Sequence, residues 1–232
     1  MRLLLALCLP FWIPADAAAS RPQRETVFLV HGMGRTRLSM QVLAWRLRRD
    51  GFRVESFPYN HASDSLPAIA GQLKHRVGEH SRGGRYHLVG HSLGNVIIRE
   101  GFRSGYPAGL GRVVMLAPPN QPARLALRLK KNLLYRWVTG DSGQKLSSTE
   151  FFAALPVPSV EFAVLAGDRG NGLVSEEPND GIILVATTRL AGMRDFVVLN
   201  KTHTFLMNSA EAGQMTARFL KDGRLRLVPA SF

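Results

Sequence analysis

Short apolar runs of strand length recur along this chain with helix-period segments between them, and that alternation limits the fold more than any other feature. The runs are Thr26–Val30, Arg53–Phe57, Tyr86–Gly90, Arg112–Leu116, Val160–Ala166 and Phe196–Leu199, rich in Val, Leu and Phe. Their nearly continuous apolar character suits strands buried on both faces of a parallel sheet. Between them, Leu38–Arg49, Ser65–Val77, Leu93–Phe102, Ile182–Arg189 and Ser209–Leu220 carry helical spacing. Strand and helix in alternation predict an α/β architecture with right-handed crossovers. At 232 residues, 45% of them hydrophobic, the chain can build one sizeable core, and no repeat, low-complexity tract or linker divides it.

One interval breaks the rhythm. From Pro118 to Pro158 there is no convincing strand, and Ala123–Val138 reads as a helix with Leu125, Leu129, Leu133 and Trp137 on one side and Arg124, Arg128 and Lys131 on the other. An insertion after a core strand often covers a site, so residues 119–157 are expected to form a small helical cap.

The N-terminus reads differently from the rest. One positive charge at Arg2, an apolar run through Leu9 and the small residues Ala15 to Ser20 have the layout of a secretory signal peptide, with A-x-A cleavage options after Ala17 or Ala19. The run is too short to span a bilayer, which needs about 20 apolar residues. The expectation is a signal peptide over residues 1–19, a single domain over 20–232, and a secreted or periplasmic product. The one cysteine, Cys8, would leave with the leader, so neither a disulfide nor a cysteine nucleophile is expected in the mature chain.

Thirty Lys and Arg against 17 Asp and Glu give a net charge of +13. Such an excess raises nucleic acid, an anionic membrane or an acidic substrate as partners. Removing residues 1–19 deletes one Arg and one Asp, so the whole excess belongs to the mature domain. Nucleic acid is not expected, because the basic residues are dispersed and no recognised binding module is present. Peripheral contact with an anionic membrane surface stays open, through a basic rim that includes Arg35, Arg37 and the cap segment.

The chemistry is carried by Tyr86-His87-Leu88-Val89-Gly90-His91-Ser92-Leu93-Gly94-Asn95, a strand running through G-x-S-x-G into a helix. A serine there sits on a tight turn that projects its hydroxyl above the sheet, and the glycines are needed where strand and helix approach. A serine hydroxyl is a weak nucleophile at neutral pH and needs a base with an orienting acid. His203 is the only histidine after Ser92 and follows the last candidate strand. Two aspartates follow the strand before it. Asp180, in Asn179-Asp180-Gly181 ahead of an apolar helix-like segment, is favoured; Asp168 could cap or order the long loop instead, and Glu176 and Glu177 are further candidates. The oxyanion of acyl transfer needs backbone donors, for which Leu93, after the serine, and Met33, in His31-Gly32-Met33-Gly34 after the first strand, are placed. That glycine-rich loop lacks the G-x-x-x-x-G-K-[ST] pattern of a nucleotide site. His61, His75, His80 and His87 show no metal-ligand spacing and read as surface or packing residues, and His91 as a space-filling neighbour that points away from the nucleophile.

Together Val30-His31-Gly32-Met33-Gly34, Val89-Gly90-His91-Ser92-Leu93-Gly94, Asn179-Asp180-Gly181 and His203-Thr204-Phe205 resemble the α/β-hydrolase superfamily, especially small bacterial lipases and esterases, from about Thr26 to about Leu220. The resemblance implies a minimal α/β-hydrolase fold, with about six mainly parallel strands flanked by helices. The family's first two antiparallel strands are missing, and the loop between Asp168 and Asp180 is longer than the usual turn. It also implies a triad of Ser92, Asp180 and His203, oxyanion donors at Met33 and Leu93, and no cofactor or metal. The expected activity is hydrolysis of carboxylic esters, with lipid esters favoured. An acyltransferase on the same triad, or a non-catalytic module of this fold on anionic surfaces, are the alternatives.

Overall fold

The computed structural model describes residues 23–60, 63–121, 149–170 and 175–227. The signal peptide expected over residues 1–19, His61, the cap helix expected over Ala123–Val138 and the last five residues lie outside the described residues. Six strands form one sheet in the order β2-β1-β3-β4-β5-β6, with β1 at Thr26–Val30, β2 at Arg53–Phe57, β3 at Tyr86–His91, β4 at Leu110–Leu116, β5 at Phe162–Gly167 and β6 at Asp195–Leu199. Every neighbouring pair in it is parallel. All the strands therefore end at one edge of the sheet, which is where open α/β sheets carry their sites.

Side-chain alternation along the strands separates two cores. Val27 and Leu29 of β1 face one way, with Val89, Val114, Leu116, Leu165 and Val197, and pack on Leu43 and Leu47 of α1 (Gln41–Arg49) and Phe219 and Leu220 of α7 (Ala210–Asp222). Phe28 and Val30 face the other way, with Leu88, Val113, Met115 and Val164, against Ile69 and Leu73 of α2 (Leu66–His80) and Val96 and Ile97 of α3 (Leu93–Gly101). Burial on both faces explains why β1, β3 and β5, buried along their whole length, read as apolar runs.

Local chemistry sets the helix ends. Ser65 and Ser209 accept hydrogen bonds from Ala68 and Ala212 as N-caps of α2 and α7. The helix expected over Ile182–Arg189 is shorter than its pattern, because α5 spans only Val185–Thr188. Asp180 and Asn179 organise the preceding residues as a loop, pairing Asp180 N with the Ile183 carbonyl and bridging Asn179 to Leu184. Two short helices complete the described chain, α4 at Thr149–Ala154 and α6 at His203–Leu206.

Candidate active site

Ser92 occupies the junction between β3 and α3, with φ 53° and ψ −121°. A non-glycine residue held at positive φ costs roughly 1–3 kcal/mol and persists only where its surroundings impose it. Here the surroundings are explicit. Ser92 N donates to the Leu116 carbonyl at 3.0 Å, and Asn95 Nδ2 donates to the carbonyls of both Ser92 (3.2 Å) and Leu116 (3.1 Å). A Cβ on Gly94 would run into the Val30 carbonyl oxygen, and one on Gly90 into the Asn95 side chain. The two motif glycines let α3 start against β1 and close over β3.

The loop after β1 comes directly beside the serine. A Cβ added to Gly32 would lie 3.1 Å from Ser92 Cβ and 2.9 Å from His91 Nδ1, so the Gly32–Met33 peptide borders the nucleophile position. Leu93 is the first residue of α3 and contributes its main-chain N–H at the helix N-terminus. His31 is buried, its ring parallel to that of Tyr59 at 4.1 Å, and the Tyr59 hydroxyl donates to the His31 carbonyl at 2.7 Å. Burial pushes the Tyr59 phenol above its ordinary pKa, which keeps it a neutral donor. Sequence reading missed Tyr59, and no local pattern announces a pairing between the loops after β1 and β2.

His203 and Asp180 meet across the ends of β5 and β6. His203 Nδ1 lies 2.7 Å from Asp180 Oδ2, and both side chains are almost fully buried. Because a carboxylate can only accept, this pairing places the imidazole proton on Nδ1 and leaves Nε2 as the basic nitrogen. The other carboxylate oxygen, Oδ1, accepts the N–H groups of Ile182 (3.0 Å) and Ile183 (2.7 Å), and the His203 N–H donates to the Asp180 carbonyl at 2.8 Å. Gly167, at the end of β5, makes room: a Cβ there would strike the Lys201 carbonyl and sit 3.0 Å from Asp180 Cβ. Asp168 is exposed and its Oδ1 accepts from Asn200 Nδ2 at 3.2 Å. Glu176 and Glu177 are exposed as well.

The remaining histidines divide. His87 is fully buried between Glu25 Oε2, 2.8 Å from its Nε2, and the Arg112 N–H, 3.0 Å from its Nδ1, toward the starts of β1, β3 and β4. His91 does more than fill space. Its Nε2 donates to the His203 carbonyl at 2.9 Å, and the two rings lie 4.8 Å apart. Its Nδ1 is buried without a partner among the described residues. Burial, aided by the neighbouring His203, Arg35 and His31, pushes its pKa down to about 3. It is therefore neutral at physiological pH.

A cleft of about 390 Å³ opens beside the pair, lined by Arg169, Ile182, Thr202, His203 and Thr204 among others. Arg35 Nη2 donates to Thr204 Oγ1 at 2.8 Å, tying the loop after β1 to α6 at the rim. Among the described residues no group of three or more His, Cys, Asp or Glu is arranged to hold a metal. The His203–Asp180 pair can accept a proton at Nε2 and stabilise the resulting imidazolium, and the start of α3 offers a main-chain donor to a developing oxyanion.

A family model described as the alpha/beta hydrolase family matches residues 27–221. No curated protein matches the chain in sequence. Among solved structures, the mature Bacillus licheniformis lipase BlEst2 is similar with a TM-score of 0.64 at 16% identity, over 86% of this chain and 92% of that one. A thermophilic esterase from Thermogutta terrifontis is similar with a TM-score of 0.54 at 17% identity, over 86% and 90%. The phospholipase PlaB from Legionella pneumophila is similar with a TM-score of 0.59 at 16% identity, over 85% of this chain and 60% of that one.

Proposed function

The chain belongs to the alpha/beta hydrolase family, and from that premise we propose that it is a serine hydrolase that cleaves carboxylic esters, lipid esters foremost, through Ser92, His203 and Asp180. The observation that carries the reading is the 2.7 Å bond between His203 Nδ1 and Asp180 Oδ2, in a fold whose elbow holds Ser92 at φ 53°. In the proposed cycle His203 Nε2 takes the Ser92 proton as Oγ attacks the ester carbonyl carbon, and the carbonyl electron pair moves onto oxygen. The N–H groups of Met33 and Leu93 hold that oxyanion. Its collapse breaks the bond to the alcohol, which leaves with the proton from His203. Water then gives a proton to His203 and attacks the acyl-enzyme, and the acid departs as Ser92 recovers its proton.

Lipid esters are favoured because the structural relatives include proteins named as a lipase and a phospholipase. Export is part of the same proposal and rests on the Arg2, apolar run and Ala15–Ala19 layout. N-terminal sequencing of exported protein, beginning at Ala18 or Ser20, is the check on that part. The test of the activity is turnover of a panel of short- and long-chain p-nitrophenyl esters by the parent chain and by Ser92→Ala. The expected loss is at least about a thousandfold; unchanged turnover in the variant overturns the proposal.

A further inference from the structure

The first helix carries apolar residues on both sides. Met40, Leu43, Ala44 and Leu47 are buried against the sheet, while Val42 and Trp45 lie on the opposite side, with Leu38 in the 3-10 turn Arg37–Met40 just before it. These three are 43%, 53% and 67% exposed, in that order. Single exposed apolar residues are ordinary on protein surfaces, but three at i, i+4 and i+7 form a stripe that the fold does not use. Phe205, two residues after the proposed base, adds a fourth exposed apolar side chain at 67%. Its short helix and the turn after it are tied to the same arm, by Arg35 to Thr204 and by Arg46 Nη1 to the Asn208 carbonyl at 2.7 Å.

The charge within this stretch of chain has one sign. From Thr26 to Arg49 the sequence holds five arginines, at 35, 37, 46, 48 and 49, and no acid. Arg37, Arg48 and Arg49 are exposed, and the Arg49 guanidinium stacks over Trp45 at 4.6 Å. Asp50 follows at the helix end, and Glu211 of α7 is paired with Lys201 at 2.9 Å.

We propose that Leu38, Val42, Trp45 and Phe205, with the arginines beside them, form the face by which this protein docks on an anionic bilayer. Tryptophan and short aliphatic side chains insert at the headgroup boundary while arginines meet lipid phosphates, a pairing that suits an interfacial helix. A specific protein interface would engage about 20–30 residues a side, far more than this narrow stripe supplies. Self-association through it would bring two arginine-rich surfaces of a +13 chain together. The inference rests on the ester-hydrolase reading for its purpose, which is to bring the Ser92 and His203 edge to lipid; the binding itself needs no turnover.

The test is co-sedimentation of the full chain with phosphatidylglycerol and with phosphatidylcholine vesicles, using both parent and Ser92→Ala. Binding is expected on phosphatidylglycerol, weak on phosphatidylcholine, and equal for parent and Ser92→Ala. The combined Leu38→Ser, Val42→Ser and Trp45→Ser variant is expected to lose roughly tenfold or more, as is Arg37→Glu with Arg49→Glu, and added salt to weaken the parent. Turnover of a soluble short-chain ester by these variants should match the parent, which shows that they fold. Stripe variants that bind like the parent overturn the inference. So does equal binding to both lipids, or a dimer that the stripe variant dissolves without any vesicle binding. A parent that binds vesicles but turns over no ester leaves the docking face standing and removes the hydrolase reading instead.

Discussion

His91 Nε2 donates a 2.9 Å hydrogen bond to the main-chain carbonyl of His203, so the residue next to Ser92 holds the loop that presents the imidazole. The His203 N–H is tied in turn to the Asp180 carbonyl, and the ring to the Asp180 carboxylate. His203 is thus fixed through its ring and through both sides of its backbone. Removing one of these restraints should move the imbalance into geometry rather than substrate binding. His91→Phe is expected to lower kcat by about 10- to 100-fold with little change in KM, since a small displacement of a catalytic group is costly. His91→Gln, which keeps a donor of similar reach, should recover most of that loss. Equal kcat in the Phe variant and the parent would remove His91 as a positioning residue.

The same histidine sets an acid limit on stability. Its pKa falls from 6.5 to about 3 on folding, because burial and the adjacent His203 oppose its charge. Between those values the unfolded chain binds a proton that the folded chain refuses, so stability rises with pH across the window. The contribution is fully present above about pH 6.5 and is lost progressively toward pH 3, amounting to a few kcal/mol at the acid end. Urea unfolding midpoints of the parent should decline through this window. His91→Gln, which cannot titrate, should show a shallower decline, and parallel profiles would exclude His91 as the cause.

The two aspartates after β5 are expected to separate sharply. Asp180→Asn should cut kcat by up to roughly 10⁴-fold, because an amide facing His203 Nδ1 favours the wrong tautomer. Asp168 is exposed and touches Asn200, so Asp168→Asn should leave kcat within about twofold. Steady-state kinetics on one p-nitrophenyl ester is enough, and the reverse ranking would transfer the acid's role to Asp168.

How far the sequence shows this arrangement depends on where the information sits. β1 falls on Thr26–Val30 as its pattern predicts, because burial on both faces writes itself directly into residue type, whereas β2, at the sheet edge, is marked only by its buried Val54 and Phe57. Ser92 is legible for a related reason: Gly90 and Gly94 face contacts that no Cβ could survive, so the turn needs that spelling. The choice between Asp180 and Asp168 is not local. It depends on Gly167 admitting the Lys201 carbonyl and on which carboxylate then faces the imidazole. The helix pattern over Ile182–Arg189 overstates α5 because the Asp180 carboxylate captures the N–H groups of Ile182 and Ile183 first. His91 bonds across a separation of 112 residues, and its reading as a space-filling neighbour in the turn carries no record of that carbonyl.

Gly32 gives a direct probe of the oxyanion side. A Cβ at this position would approach Ser92 Cβ to 3.1 Å and His91 Nδ1 to 2.9 Å, both tighter than ordinary van der Waals contact. Gly32→Ala should displace the Met33 N–H by a few tenths of an ångström, and is expected to lower kcat by roughly 10- to 100-fold with a modest loss of stability. Gly94→Ala drives into the Val30 carbonyl and should lower stability and activity together. Comparing kcat with melting temperature for the pair tells a site effect from a folding effect; a Gly32→Ala enzyme of full activity would move the second oxyanion donor elsewhere.

Arg99 fixes the base of the insertion. This side chain on α3 is buried yet meets no carboxylate among the described residues; it donates instead to the carbonyls of Asn120 (3.1 Å), Phe152 (3.3 Å), Leu155 (2.7 Å) and Pro156 (3.0 Å). One guanidinium thereby joins both stems of the 119–157 segment to the helix that begins at Ser92. Burial lowers its pKa to about 10, so it remains charged at neutral pH. Arg99→Met keeps much of the stem volume but strands several buried carbonyls, and should cost about 3–5 kcal/mol in urea unfolding. Arg99→Lys restores the charge with a single ammonium that cannot span the same four carbonyls, so it is expected to recover only a minor part. A Lys variant as stable as the parent would show that charge alone, rather than the planar fork of donors, holds the stems together.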